Sequence, residues 1–222
     1  MDMFDSRLRV NGAIFSTDFD DMQLRQVLLD STNTPRVVFA NASKTRIQGM
    51  ELEVTLSPVD NLLLIATGSF NDYEYLDFEE RQFSSVALLT QQPLSIVDRS
   101  GEPFAEVPET TWSLAAQYTL NTRNGEIMAR LDYSYVDEIF MGLDAGAGQN
   151  REVSTFDDYG LLSGRVTWTS PDERYQLALF GSNLTDERYF MGAASVGDSV
   201  GTFPVAAGLP RLYGVELNYR FF

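Results

Sequence analysis

The chain ends in Gly208-Leu-Pro-Arg-Leu-Tyr-Gly-Val-Glu-Leu-Asn-Tyr-Arg-Phe-Phe222, a stretch whose last residues alternate in polarity. The apolar positions are Tyr213, Val215, Leu217, Tyr219 and Phe221, and between them lie Gly214, Glu216, Asn218 and Arg220. Strict alternation predicts a β-strand with one apolar and one polar face. The fold therefore depends on what the apolar face meets, a protein core or lipid.

The same alternation recurs along the chain and predicts eight β-segments in one architectural unit of 222 residues. The predicted segments are 7–24, 37–56, 62–75, 110–120, 126–140, 156–169, 174–189 and 210–222. Short turns are expected at 57–61, 121–125 and 170–173, where turn-forming residues cluster. The other connections are long, at 25–36, 76–109, 141–155 and 190–209. Alternation of short turns and long loops is typical of an up-and-down barrel that spans a membrane.

Each predicted strand has one face without charged residues, which is what a lipid-facing surface requires. A Lys or Arg at the bilayer midplane costs about 2–4 kcal/mol. After Ile14 the apolar phase is broken by Phe15 and Phe19, so a β-bulge is expected there. The opposite face carries the charged candidates for a lumen surface: Arg9, Glu51, Glu53, Arg130, Asp132, Arg165, Glu216 and Arg220. Arg130, Asp132 and Arg165 could bind an anionic ligand, although a ladder of opposite charges on neighbouring strands is the preferred interpretation.

Aromatic residues fall near both ends of the predicted strands. Trp112, Tyr133 and Tyr135 lie near the long-loop ends, whereas Trp168, Tyr175, Tyr219 and Phe221 lie near the short-turn ends. Tyr and Trp favour the two lipid–water interfaces of a membrane, so these residues are predicted interface aromatics. The alternative is that they fill the core of a soluble β-protein.

Composition excludes several classes of function. The net charge of −16 argues against nucleic-acid binding, which depends on neutralising phosphates. The chain has no histidine and no cysteine, so structural zinc, thiol nucleophiles and Ser-His-Asp arrangements are excluded. Acidic clusters and the glycine-rich stretch 142–148 are interpreted as solvated loops rather than calcium or phosphate sites. The sequence therefore predicts no enzyme, no metal and no cofactor.

Four stretches resemble the C-terminal barrel of TonB-dependent outer-membrane receptors. The first, Asn41-Ala-Ser-Lys-Thr-Arg-Ile-Gln-Gly-Met-Glu-Leu-Glu53, is similar to the family's Asn-Ala-x-Lys followed by Gly-x-Glu-x-Glu. Pro108-Glu-Thr-Thr-Trp-Ser-Leu-Ala-Ala-Gln-Tyr118 resembles a proline-led strand after a long external loop. Gly181-Ser-Asn-Leu-Thr-Asp-Glu-Arg-Tyr189 resembles Asn-Leu-x-Asp-x-x-Tyr, and Pro210–Phe221 resembles the final strand. The resemblance runs from about residue 6 to the end of the chain.

The resemblance implies an all-β antiparallel meander of about eight strands, forming part of a 22-stranded transmembrane barrel. It implies energy-coupled uptake of a bulky nutrient (a siderophore, cobalamin or a glycan) across the outer membrane of a Gram-negative bacterium. The implied partners are outer-membrane lipid and lipopolysaccharide, the remaining barrel and plug, TonB through the missing N-terminal part, and the barrel assembly machinery. A C-terminal assembly signal would comprise Tyr213, Val215, Leu217, Tyr219, Phe221 and Phe222, although Phe222 lies one residue beyond the apolar phase.

By this interpretation residues 1–222 are barrel only, without plug or signal peptide, and are not transport-competent alone. Residues 1–7 lack the basic and apolar regions of a secretory signal. Two alternatives stay open from the residues themselves. One is a self-contained eight-stranded outer-membrane barrel with an adhesive or structural role, and the other is a soluble β-sandwich that binds a ligand.

Overall fold

The computed structural model describes residues 2–5, 7–29, 34–82, 95–102, 104–141, 155–193 and 204–221. These residues form fourteen β-strands, and none of them belongs to a helix that could cross a membrane. The strands are β1 (Asp2–Met3), β2 (Leu8–Leu29), β3 (Pro35–Leu56), β4 (Leu62–Gln82), β5 (Ser95–Asp98), β6 (Thr110–Thr122), β7 (Gly125–Val136), β8 (Ile139–Phe140), β9 (Thr155–Phe156), β10 (Tyr159–Thr169), β11 (Tyr175–Ser182), β12 (Phe190–Ala193), β13 (Val205–Ala207) and β14 (Leu212–Tyr219).

Ten of the strands form one antiparallel sheet in the order β1-β2-β3-β4-β6-β7-β10-β11-β14, with β5 paired to β4. Its eight long strands follow one another along the chain, so the predicted meander is confirmed. A β-sandwich would need a second packed sheet, whereas the other described strands form only two two-stranded ladders. Within the described residues no ladder joins β14 to β2, so these strands do not close on themselves as an eight-stranded barrel.

Three short turns connect strands at one end of the sheet, as the sequence predicts. The tightest is the two-residue turn Arg123–Asn124, because Thr122 pairs directly with Gly125. Gly125 has a φ of 115°, and a Cβ built there would lie 2.0 Å from the carbonyl oxygen of Thr169. The position therefore requires glycine for its backbone angle and for the close approach of β10.

The first long connection is much shorter than predicted, because β2 and β3 are 22 residues each and pair from Leu8–Leu56 to Leu29–Pro35. The prediction of a loop at 25–36 is wrong. Pairing stays regular as far as Phe19, and the register shifts come between Phe19 and Gln23, where Asp21 has a φ of 58°. The bulge thus lies beyond the position expected from Phe15.

The other long connections also contain strands. In 76–109, β4 continues to Gln82 and pairs with β5. In the third connection β8 pairs with β9, and in the fourth β12 pairs with β13. Both of these ladders are short and lie outside the main sheet. Loop prediction fails here because these strands do not alternate in polarity over enough residues to be recognised.

The register gives the sheet two chemically different faces. One row across it consists of Leu8, Leu56, Leu64, Ala116, Leu131 and Gly164. We call the side with this row the apolar face and the opposite side, which carries Glu51, Asp132 and Arg165, the polar face. The apolar face is not covered by protein in the described residues: Ile14 is 86% exposed, and Leu217 of the last strand is 69% exposed.

Gly125→Ala should destabilise the protein much more than Gly101→Ala. Both glycines have positive φ angles, but nothing lies within 4 Å of a Cβ at Gly101, whereas the backbone of Thr169 blocks one at Gly125. The positive φ alone costs about 1 kcal/mol, and the clash adds to that cost only at Gly125. Urea unfolding of the complete protein in lipid vesicles measures both. Equal destabilisation by the two variants would contradict the turn geometry.

Candidate functional site

The polar face brings together the charged residues that the sequence predicts for a lumen surface. Glu51 lies opposite Ser69, Asp132 lies opposite Ala115, and Arg130 lies directly opposite Arg165. Glu53 and Glu216 share this face, because they alternate with apolar residues of their own strands. Arg220 follows the end of β14 and pairs instead with Glu173 in a short turn, at 3.8 Å. The face is therefore a charged surface spread over most of the sheet.

Arg130 and Arg165 are like charges in directly opposed positions, and each turns to its own carboxylate. Arg130 pairs with Asp132 of its own strand at 2.6 Å. Arg165 reaches across β11 to Glu216 at 3.0 Å. The prediction of ion pairs between neighbouring strands is therefore wrong. Arg130 and Asp132 both belong to β7, whereas Arg165 and Glu216 belong to β10 and β14, which are separated by β11.

The side chains of β11 explain the reach of Arg165. Its guanidinium lies 5.7 Å from the centre of the Phe180 ring, which is a cation–π distance. Ala178, opposite Glu216, is too small to block the path between the two charges. Phe180 itself covers Gly214, where a Cβ would lie 2.7 Å from the ring. These five residues therefore lie together on the polar face.

Glu51 and Glu53 border a trough of about 600 Å³ on the polar face. Most of its other polar-face residues are small: Asn11, Ala13, Thr67, Ser69, Thr111, Ser113 and Ser134. Glu53 accepts a hydrogen bond from Asn11 at 3.2 Å, and Thr67 bonds Ser113 at 2.7 Å. The trough is an open, hydrogen-bonding surface with acidic groups at one side.

An aromatic cluster lies on the polar face at the long-connection end of β4. Phe104 packs on Tyr73 at 5.6 Å and on Tyr75 at 4.6 Å between ring centroids. Phe78 packs on Tyr75 at 4.8 Å, although the two are three residues apart, because a register shift in the β3–β4 ladder lies beside them. Burial raises the pKa of the Tyr73 hydroxyl.

Residues 98–102 and 104–109, which we call the strap, run along β4 beyond the start of β6. The amide of Gly101 donates to the carbonyl of Tyr75 at 2.7 Å, and the amide of Tyr75 donates to the carbonyl of Glu102 at 3.2 Å. Arg99 is buried and pairs with Glu102 at 3.3 Å. The sequence analysis places the strap in the predicted long connection 76–109.

The Gly181–Tyr189 stretch fastens the last long connection to the sheet. The Asn183 amide donates to the carbonyls of Glu187 at 2.8 Å and Leu209 at 3.1 Å, and its oxygen accepts from the Glu187 amide. Tyr189 stacks on Tyr159 at 4.4 Å. The buried Asn183 is therefore a structural residue, a role that sequence reasoning missed.

The predicted interface aromatics form two groups on the apolar face. Trp112 contacts Tyr133 and Tyr135 at 5.3 and 5.4 Å, next to the long connections. At the other end, Tyr219 lies 4.9 Å from both Tyr175 and Phe221. Trp168 donates to the carbonyl of Asn124 at 2.9 Å. Their place at the two ends of the strands agrees with the expectation, and their role at a lipid interface stays a prediction.

The apolar face becomes polar beyond Ile14, Met50 and Phe70, which stand side by side. Four residues further along β2 and β3, Asp18 pairs with Arg46 through two hydrogen bonds of 2.7 and 2.9 Å. These bonds and the charge of Arg46 hold the pKa of Asp18 below its ordinary value. The residues of the predicted assembly signal also lie on the apolar face of β14 and beyond, except Phe222, which is outside the described residues.

Comparison with known proteins identifies the family. The sequence model of the family described as TonB-dependent receptor-like β-barrel matches residues 1–184. The chain belongs to the TonB-dependent receptor family. The search of curated proteins gives no match.

Several solved structures of uptake receptors and transporters share the fold. The ferric yersiniabactin uptake receptor FyuA of Yersinia pestis is 18% identical with a TM-score of 0.71, over 98% of this chain and 28% of that one. The siderophore receptor PiuA of Acinetobacter baumannii is 17% identical with a TM-score of 0.70, over 98% and 27%. The iron transporter FrpB of Neisseria meningitidis is 15% identical with a TM-score of 0.59, over 97% and 29%. The chain thus spans less than a third of these proteins.

Phe104→Ala should loosen the strap. Phe104 is 7% exposed, and removing a buried phenyl ring costs about 3–5 kcal/mol. Hydrogen exchange at the amides of Tyr75 and Gly101, which bond the strap to β4, should become much faster. Phe70→Ala, on the apolar face, is the matched control and should leave both amides protected. Unchanged exchange in Phe104→Ala would show that the strap is held without this ring.

Proposed function

We propose that these strands are a wall segment of an outer-membrane receptor for energy-coupled nutrient uptake. The observation that carries the proposal is the two-faced sheet in a chain of this family. Its apolar face is free of charge across the rows that end at Ile14, Met50 and Phe70, whereas its polar face carries charges and hydrogen-bonding groups. A barrel wall between hydrocarbon and an aqueous lumen needs this arrangement.

Receptors of this family lie in the outer membrane of Gram-negative bacteria and act with a plug and with TonB. We place the plug and the passing nutrient on the polar face, against the trough bordered by Glu51 and Glu53. The trough supports this assignment because small side chains leave room there for a second polypeptide surface. Coupling belongs to the plug and TonB, so this chain by itself would neither transport nor catalyse.

The remaining partners follow from the same placement. The apolar face would contact lipid and lipopolysaccharide, with Trp112 and Tyr135 at one interface and Tyr175, Tyr219 and Phe221 at the other. The alternating side chains of β14 would be recognised by the barrel assembly machinery. Tyr213 and Val215, at 82% and 67% exposure, support this role because they are open to a partner.

Ferric siderophores are the nutrient class we propose first. The similar solved structures include a ferric yersiniabactin uptake receptor and a siderophore receptor, which supports this choice. The aromatic cluster around Phe104 fixes the strap at the long-connection end of the polar face, where a bulky ligand would enter. Cobalamin and glycans are the other classes to test.

Uptake is measured with the complete protein in cells that lack their own siderophore receptors. We expect accumulation of radioactive iron from a panel of ferric siderophores, and its loss when TonB is deleted. Uptake of labelled cobalamin or glycan instead would change the nutrient class and keep the receptor function. Accumulation that persists without TonB would overturn energy-coupled uptake.

Leu131→Arg and Ser134→Arg test which face meets lipid. Leu131 lies on the apolar face at 56% exposure, and Ser134 lies on the polar face of the same strand. Arginine facing mid-bilayer costs about 2–4 kcal/mol, so Leu131→Arg should lower folding stability in vesicles by that amount. Ser134→Arg should change it little. The reverse ranking would place hydrocarbon on the polar face.

A further inference from the structure

A groove of about 480 Å³ crosses the apolar face over β4, β6 and β7. The small side chains of Ala66 and Ala116 leave this space open. Ala116 stands between Leu64 and Leu131 in the register, and Ala66 stands opposite Leu114. The leucines therefore form raised borders beside the two alanines.

The side chains that border the groove are apolar apart from one tyrosine hydroxyl. Asp132 also contributes to the lining, but alternation along β7 places its carboxylate on the polar face, where it pairs with Arg130. Tyr133 closes the groove on the side of the long connections, and its ring lies 5.3 Å from Trp112. An apolar groove thus begins beside the aromatic group that contains Trp112 and runs into the charge-free surface.

We propose that this groove binds one acyl chain of a membrane lipid from the leaflet on the side of the long connections. The inference rests on the proposed function, since it requires the apolar face to lie in the bilayer. Tyr and Trp favour the headgroup level of a membrane, so the headgroup of the bound lipid would lie near Trp112 and Tyr135. The groove continues the surface that already faces hydrocarbon.

An acyl chain fits the groove better than a protein partner does. Dispersion contacts on both sides of a narrow channel favour a thin, flexible ligand that can follow its borders. Leu114 and Leu131 are 51% and 56% exposed, so they stand free to close around such a chain. A flat strand or sheet from another protein would rest on these leucines and leave the space above the alanines empty.

Lipid retention tests the proposal. The complete protein is folded into dimyristoylphosphatidylcholine vesicles, extracted into detergent, and examined by native mass spectrometry for retained phosphatidylcholine. Ala116→Phe fills the groove, and Ala66→Leu is a milder second variant. Ala129→Phe is the matched control, because Ala129 is on the same face, opposite Tyr118 and Val166, and does not line the groove.

We expect one retained lipid in the unsubstituted protein and in Ala129→Phe, and a several-fold loss in both groove variants. Equal retention in all four proteins, or none in the unsubstituted protein, would overturn the groove assignment. Flotation of each protein with the vesicles is scored separately. A protein that does not float would contradict the membrane location and hence the proposed function, whereas floating proteins with equal retention contradict only the groove.

Discussion

Backbone hydrogen bonding between neighbouring strands is the constraint on which the rest of this structure depends. Hydrocarbon offers no partner to an amide or a carbonyl, so a chain that crosses it without helices must pair every strand with another. The eight long strands meet this need through continuous antiparallel ladders. Among the described residues this sheet ends at β14 on one side and, on the other, at β2, which pairs with the two-residue β1.

The stability of such a sheet has an unusual source. In the part of the chain that the structure describes, few apolar side chains are buried by the protein itself, and large ones such as Ile14 and Tyr213 are almost fully exposed. In water this surface would be unfavourable by about 25 cal/mol for each Å² of apolar area. In a bilayer the lipid covers it, so the solvent supplies the burial that a core supplies in a soluble protein. Glycines and alanines on the same face then shape the surface that lipid meets.

On the polar face the charges are organised locally. Arg130 and Arg165 oppose each other, yet each is held by a carboxylate within 3.0 Å, so a repulsive position becomes part of two ion pairs. The trough near Glu51 instead leaves acidic groups on an open surface. In the long connections, the strap and the stretch around Asn183 are held to the sheet by buried polar and aromatic side chains. The polar face therefore combines a charged wall with packed side chains that hold the long connections.

Sequence alone determined the strands inside the apolar rows, because a strand with one apolar and one polar face must alternate strictly in polarity. The predicted limits at Leu56, Leu62, Thr110 and Thr169 agree with the structure for this reason. Family membership also followed from sequence, through short motifs spread along the chain. Beyond the rows the apolar face carries charged residues such as Asp18 and Arg46 and the alternation is broken, so the continuation of β2 to Leu29 and of β4 to Gln82 was missed.

Only the tertiary structure decided which side chains meet. The contact of Arg165 with Glu216 depends on the small size of Ala178 in the intervening strand β11. The burial of Phe104 depends on the path of the strap over Tyr73 and Tyr75. Such contacts join residues that are far apart in the chain, and alternation within one strand carries no information about them. Register between strands supplies that information, and it exists only once the sheet has formed.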